Sequence, residues 1–179
     1  MSDWSRTLDA LVRERGAALF GYAYVLTGSA VAAEDLLQDA LLRTFRSGRG
    51  TRDLNSAHAY VKRAITSAFI DSGRRSAARP RTVTEGALEQ ASTPDHSTAS
   101  DASTDLHAAL LTLPPRERAC VVLRYLEDLP VATIGVELGI ATGTVKRYLA
   151  DGITRLRALD LSVDFTEADT IPVMEGRAQ

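Results

Sequence analysis

Apolar residues recur at three- and four-residue spacing along the first part of the chain. Leu8, Leu11, Val12, Leu19, Phe20, Ala23 and Leu26 follow this rhythm, which predicts an amphipathic helix. Gly28 is placed to end that helix and Ser29 to cap the next. A second helix is expected through AVAAEDLLQDALLRTF to about Phe45, with Ser47-Gly48-Arg49-Gly50 breaking it. The line Val61, Ala64, Ile65, Ala68 predicts a third helix from near Ser56 to about Ser72, stopped by Gly73. The period returns at Asp105 with Leu106, Ala109, Leu110 and Leu113. Pro114-Pro115 interrupts it, and a helix is expected from Arg116 to Leu126. Two shorter helices follow, around Ala132–Leu138 and Thr144–Leu159. Nowhere does a convincing two-residue alternation with β-branched residues appear.

Between these blocks, residues 76–104 are rich in Ala, Ser, Thr and Pro with few large apolar groups. Such a segment buries too little surface to offset its ordering entropy. The expectation is an all-α chain of two small helical modules, 1–75 and 105–161, joined by a flexible acidic linker, 76–104. The C-terminal module carries a helix-turn-helix, and residues 162–179 form a disordered tail.

The helix-turn-helix rests on the run VATIGVELGIATGTVKRYLA, residues 131–150. Two short helices meeting at a steep angle need a tight turn and apolar residues at fixed inward positions. Gly139 is the turn residue. Ile134 and Leu138 point inward before it, and Ile140, Val145 and Tyr148 after it. Thr142 is a candidate cap for the second helix, which would leave backbone N–H groups for a phosphate. Thr144, Lys146, Arg147 and Ala150 are candidates to face a major groove, with Val145 among them in the core-forming register. Asp151 on the same helix is repelled by phosphate. An ordinary helical hairpin with a glycine turn is the other reading of these residues.

Charge refines this picture. The net charge is −2, yet residues 1–80 carry 12 Lys+Arg against 8 Asp+Glu, and residues 106–159 carry 7 against 5. The excess acid lies in the linker and tail. Mildly basic modules imply weak affinity for DNA alone, so a partner that holds the DNA is expected. The single cysteine, Cys120, allows no internal disulfide and reads as a core residue. The opening residues lack the pattern of a signal peptide, and no apolar run approaches the roughly 20 residues of a membrane helix, so a cytoplasmic protein is expected. His58, His96, His107 and Cys120 share no ligand spacing, so no metal or cofactor is expected. No nucleophile, acid or base cluster points to an enzyme.

The run LLTLPPRERACVVLRYLEDLPVATIGVELGIATGTVKRYLADGITRLRAL resembles the C-terminal module of extracytoplasmic-function sigma factors, group 4 of the sigma-70 family. The matching pieces are Leu113-Pro114, Arg118, Leu123-Arg124-Tyr125, Leu129 and Gly143-Thr144-Val145-Lys146. The resemblance implies that this module reads the −35 promoter element. AAEDLLQDALLRTFR resembles the helix by which such factors dock on the clamp of the largest subunit of core RNA polymerase. It implies docking through Glu34, Asp35, Leu37, Gln38, Leu41 and Phe45. Leu37 and Leu41 with Glu34 and Gln38 make an apolar strip with a polar rim, although a plain amphipathic helix facing its own core has the same pattern.

AHAYVKRAITSAFIDSGRR resembles the part that opens and reads the −10 element. There Lys62, Arg63, Arg74 and Arg75 can supply charge, Tyr60 stands where the family often has Trp, and Asn55 and Ser56 in the preceding loop are candidates to hydrogen-bond a flipped base. Ile65-Thr66-Ser67-Ala68-Phe69 departs from the more aromatic or basic family pattern. The Ala/Arg-rich composition resembles an actinobacterial, SigE-like subgroup. The implied function is an alternative sigma factor that binds core polymerase and directs promoter-specific initiation. A stand-alone helix-turn-helix regulator is the alternative. Many family members are held inactive by an anti-sigma factor, a partner the sequence itself does not identify. The sequence also leaves open how the modules are oriented; packed together, they would hide their DNA-reading faces.

Overall fold

The computed structural model describes residues 3–46, 53–78 and 101–159, and the side chains of 4–46, 53–73 and 104–159. Its helices are α1 (Asp3–Thr27), α2 (Ala30–Phe45), α3 (Leu54–Ala78), α4 (Asp101–Thr112), α5 (Pro115–Val121), α6 (Val131–Leu138) and α7 (Thr142–Arg157). A single π turn, Val122–Leu126, extends α5. No strand occurs among the described residues.

The punctuation of the sequence explains most boundaries. Gly28 adopts φ 73° and closes α1, its N–H bonded to Tyr24 O at 2.8 Å. The hydroxyl of Ser29 accepts the Ala32 N–H at 3.3 Å and caps α2. At α3 the cap is Asp53, whose carboxylate accepts both the backbone N–H and the hydroxyl of Ser56, at 2.8 and 2.7 Å. These bonds hold the Asp53 carboxyl below its usual range. Two bounds differ from the expectation. α3 runs through Gly73 because no left-handed residue stops it there. A Cβ at Gly73 would meet Pro115 Cγ at 3.0 Å, so this glycine serves the close approach of α5. α4 begins earlier, at Asp101. The Ser47–Gly50 break and the linker from residue 79 to 100 lie outside the described residues, as do residues 160–179.

α1, α2 and α3 pack as a three-helix unit around Leu11, Leu19, Tyr22, Leu26, Ala33, Ala40, Phe45, Val61, Ile65 and Phe69. Trp4 packs against its edge. One polar pair lies inside: the hydroxyls of Tyr22 and Thr66 are 2.7 Å apart. Thr66 donates its proton to Lys62 O, so Tyr22 is the donor to Thr66, and burial pushes the phenol pKa up. The second core gathers Leu113, Cys120, Val121, Leu123, Ile134, Val145, Leu149 and Leu156 from α4 to α7. Helix α5 is buried on both sides. Cys120 and Val121 face α7, while Ala119 and Val122 belong to the N-terminal core.

The two units therefore touch directly. Arg118 in α5 reaches across to donate to Leu26 O at 2.5 Å. It also donates to Leu111 O and Leu113 O at 2.7 and 3.0 Å, with its guanidinium over the Phe69 ring. His107 packs on the Tyr24 ring, centroids 4.9 Å apart, and Leu111 fills the space above Gly28.

Candidate nucleic-acid and polymerase interfaces

In the C-terminal unit, α6 and α7 meet at Gly139, which takes φ 62° and ψ 38°. That left-handed conformation suits glycine because it has no Cβ to strain. Ile140 N–H returns to Gly135 O at 3.0 Å and closes the turn. Ile134 and Val145 are fully buried, and Leu138, Ile140 and Tyr148 pack against the same core. The five inward positions and the turn glycine are thus brought together as a helix-turn-helix.

Two candidate residues change role. Val145 has no exposure, so it anchors α7 from within and does not reach a groove. Thr142 is the first residue of α7. The cap position is Ala141, with no side-chain capping bond. The opening N–H groups of α7 thus lack a side-chain acceptor at the cap, and the positive end of the helix dipole lies there. Thr142, Gly143, Lys146, Arg147, Ala150 and Asp151 are exposed, and Thr144 is half-buried. The Arg147 guanidinium stands over the Tyr148 ring at 5.4 Å. The outward face of α7 is therefore a short polar strip with two cations and one acid.

On α2 the structure redraws the expected face. Phe45 is buried in the core, and Leu36, Leu37 and Leu41 pack against it half-buried. Small Ala33 and Ala40 are fully buried on the inward side. Facing solvent are Val31, Glu34, Asp35, Gln38 and Leu42, with Val31 72% and Leu42 70% exposed. Val31, Asp35, Gln38 and Leu42 follow the i, i+4, i+7, i+11 spacing of one helical stripe. Sequence reasoning missed Val31 and Leu42. The small size of Ala33 and Ala40 was the signal for which side lies inward.

On α3, Asn55, Ser56 and Tyr60 are exposed near the N-terminal end. The Ser56 hydroxyl is already held by Asp53, and Arg15 Nη2 stands 3.5 Å from Asn55 Oδ1. The Arg63 guanidinium lies over Tyr60 at 5.8 Å. Lys62 is only 22% exposed. Its ammonium lies over the Tyr22 ring and is ion-paired with Glu127, which directly follows the π turn. Arg63 pairs with Glu137 of α6 at 3.2 Å. Both acids come from the C-terminal unit. The side chains of Arg74 and Arg75 lie outside the described residues.

Cys120 is fully buried, and burial pushes its thiol up to about 12. Among the described residues no group of His, Cys, Asp and Glu could hold a metal ion. No helix among them is long and apolar enough to cross a membrane.

Comparison with known proteins fits this two-part geometry. Residues 11–79 match the sigma-70 region 2 family and residues 103–156 match sigma-70 region 4. The chain is 34% identical over 154 residues to the ECF RNA polymerase sigma factor SigE of Mycolicibacterium smegmatis. That match covers 83% of this chain and 60% of SigE. It is 35% identical over 154 residues to the ECF sigma factor SigL of Mycobacterium tuberculosis, covering 85% of SigL. It is 38% identical over 153 residues to the RNA polymerase sigma-E factor of Streptomyces avermitilis, covering 80% of that protein. The fold resembles that of the sigma factor RpoE from Bartonella quintana, solved in complex with the anti-sigma factor NepR. The TM-score is 0.60 and the identity 21%, over 92% of this chain and 99% of RpoE. With both regions present in order, and with relatives matched over most of their length, the chain belongs to the extracytoplasmic-function sigma factors of the sigma-70 family, the subunits that direct bacterial RNA polymerase to initiate at particular promoters.

Proposed function

We propose a division of labour among three helices. The stripe Val31, Glu34, Asp35, Gln38 and Leu42 on α2 docks on the clamp of core RNA polymerase. The cations of α3, with Tyr60 as a stacking surface, hold the displaced strand of the −10 element. The outward face of α7, through Thr142, Thr144, Lys146, Arg147 and Ala150, enters the major groove of the −35 element. The protein acts in the cytoplasm and catalyses no reaction itself. Strand opening draws on binding free energy within the polymerase. An anti-sigma factor is a further partner, as one is for the Bartonella relative.

The observation that carries the docking assignment is the α2 stripe. Two large aliphatic side chains stand in solvent about 16 Å apart at the two ends of one helical stripe, with a carboxylate and an amide between them, so the helix offers two apolar anchors with polar groups in the middle. The test is pull-down and affinity measurement against core polymerase. Leu42→Asp is expected to weaken binding at least about tenfold while leaving the melting curve unchanged, because the residue is not in the core. Leu37→Asp lowers the melting temperature as well, since Leu37 packs on the core. Wild-type binding by Leu42→Asp would reject the assignment. Specific duplex binding of equal strength with and without core polymerase would favour a stand-alone regulator.

A further inference from the structure

We propose that Glu127 and Glu137 form an electrostatic latch that holds the C-terminal unit over the cations of α3, standing where promoter phosphates would stand, so that the free protein is closed to the −10 strand while its −35 reader stays open. The proposal rests on the assignment of Lys62 and Arg63 to that strand.

Three observations support it. The first is pairing: the two described cations in the middle of α3, Lys62 and Arg63, each meet a carboxylate 65 and 74 residues away, from the other unit. A carboxylate and a phosphate compete for the same cation, so each glutamate occupies a donor and offsets the charge that would otherwise hold the DNA backbone. The second is burial. Lys62 and Glu127 are each 22% exposed, so that pair is less screened than an open surface pair, while Arg63 is 49% exposed and its partner Glu137 14%. Tyr60, the stacking candidate, is tied to Arg63 by their cation–π contact, so the latch also governs its surroundings.

The third is the layout of the contact between the units. One end is interlocked without an ion pair across it: Arg118 on Leu26 O, Leu111 over Gly28, His107 on Tyr24. The other end, where α6 and the π turn face α3, is held by the two ion pairs, and beside Glu137 lies a cleft of about 130 Å³. Ser67, Ile70, Asp71, Arg116 and Glu137 are among the residues lining it. An underpacked ionic end beside an interlocked end opens at the ionic end first. Meanwhile Lys146 and Arg147 on α7 are exposed in the closed form, so duplex contact needs no opening.

The test uses the full chain with Glu127→Gln/Glu137→Gln. Spin labels on Ala32→Cys and Ala150→Cys, both exposed positions, report the separation of the units; buried Cys120 stays unlabelled. Binding of a mixed-sequence single-stranded oligonucleotide is read in parallel. Asp9→Asn/Glu14→Gln, on exposed α1 positions, removes the same two charges without touching the contact. The latch variant is expected to lengthen and broaden the label distances and to bind the single strand about tenfold tighter, well beyond the control. An unchanged distance, or a gain no greater than the control's, overturns the latch. The underlying assignment is read separately by Lys62→Gln/Arg63→Gln in the assembled holoenzyme, through permanganate reactivity of unpaired thymines at a promoter. Lost opening there keeps the −10 role even where the latch has failed. Undiminished opening removes the role, and the latch with it.

Discussion

Gly135 lies buried where α6 runs up against its own turn, and a Cβ there would stand 2.9 Å from Ile140 O. That oxygen is backbone, so the turn itself must move to admit a methyl. Gly135→Ala is expected to destabilise the C-terminal unit by about 1–3 kcal/mol, read as a fall in denaturant midpoint at unchanged slope. An unchanged midpoint would mean that the turn yields freely. The contrast with Gly139 is instructive. Gly139 could be read from the sequence because a helix-turn-helix demands a left-handed residue at that position. The need for Gly135 depends on the distance to a carbonyl brought near only by folding. Cys120 was likewise legible, since a lone thiol within RACVVLRY reads as core. With its pKa raised from an ordinary 9.0 to about 12, its thiolate fraction at pH 8 falls about a thousandfold, and burial blocks access as well. The raised pKa also fixes a direction with pH. The unfolded chain loses the thiol proton first, so stability falls as pH rises from about 9 toward 12. Alkylation at pH 8 is expected to proceed only at the rate of global unfolding, and rapid labelling of native protein would contradict this.

At the scale of elements, periodicity located the helices of the described residues because each turns apolar positions toward a core, α5 toward two. It was less informative about which face. On α2 apolar residues occur on both sides, and side-chain size alone separates them: Ala33 and Ala40 admit α1 and α3 closely, leaving Leu42 outside. The exposed aliphatic residues of α2 are therefore Val31 and Leu42, whereas Leu37 and Leu41 pack on the core and Phe45 is buried in it, and the proposed docking stripe follows the exposed set. The helix bounds of α2 were legible in full, since Ser29 caps it as its residue type and position imply. Ser29→Ala removes the acceptor for Ala32 N–H and is expected to cost about 1 kcal/mol, lowering the melting temperature by a few degrees without changing helix content in the native state. A melting temperature equal to wild type would show that water replaces the cap at no cost. On α3 the sequence suggested an open basic face, whereas Lys62 and Arg63 are both engaged by acids of the other unit. No pattern along a chain announces a partner 65 or 74 residues away.

For the whole molecule, the sequence reads as two modules whose mutual orientation it leaves open, and the described residues form two cores joined through α5. Arg118 is the joint. Its buried guanidinium satisfies Leu26 O from the N-terminal unit together with Leu111 O and Leu113 O from its own. Family resemblance had marked this arginine only as part of a motif, because its function depends on a carbonyl 92 residues away. Arg118→Ala leaves three carbonyls without that donor and removes the cation above Phe69, so it is expected to cost ~2 kcal/mol or more. The manner of the loss is more telling than its size. Most of each buried cluster comes from one unit, Leu11 to Phe69 in one and Leu113 to Leu156 in the other, with only Ala119 and Val122 crossing into the N-terminal core. Wild-type protein is then expected to unfold in one coupled calorimetric transition, and Arg118→Ala in two, the units having lost their interlocked end. The same variant, unlike Glu127→Gln/Glu137→Gln, leaves the ionic pairs on α3 intact, so high salt is expected to separate its units completely, where in the wild type it loosens only the ionic end. A single unshifted transition in Arg118→Ala would locate the coupling elsewhere, in the packing of Ala119 and Val122 against the N-terminal core.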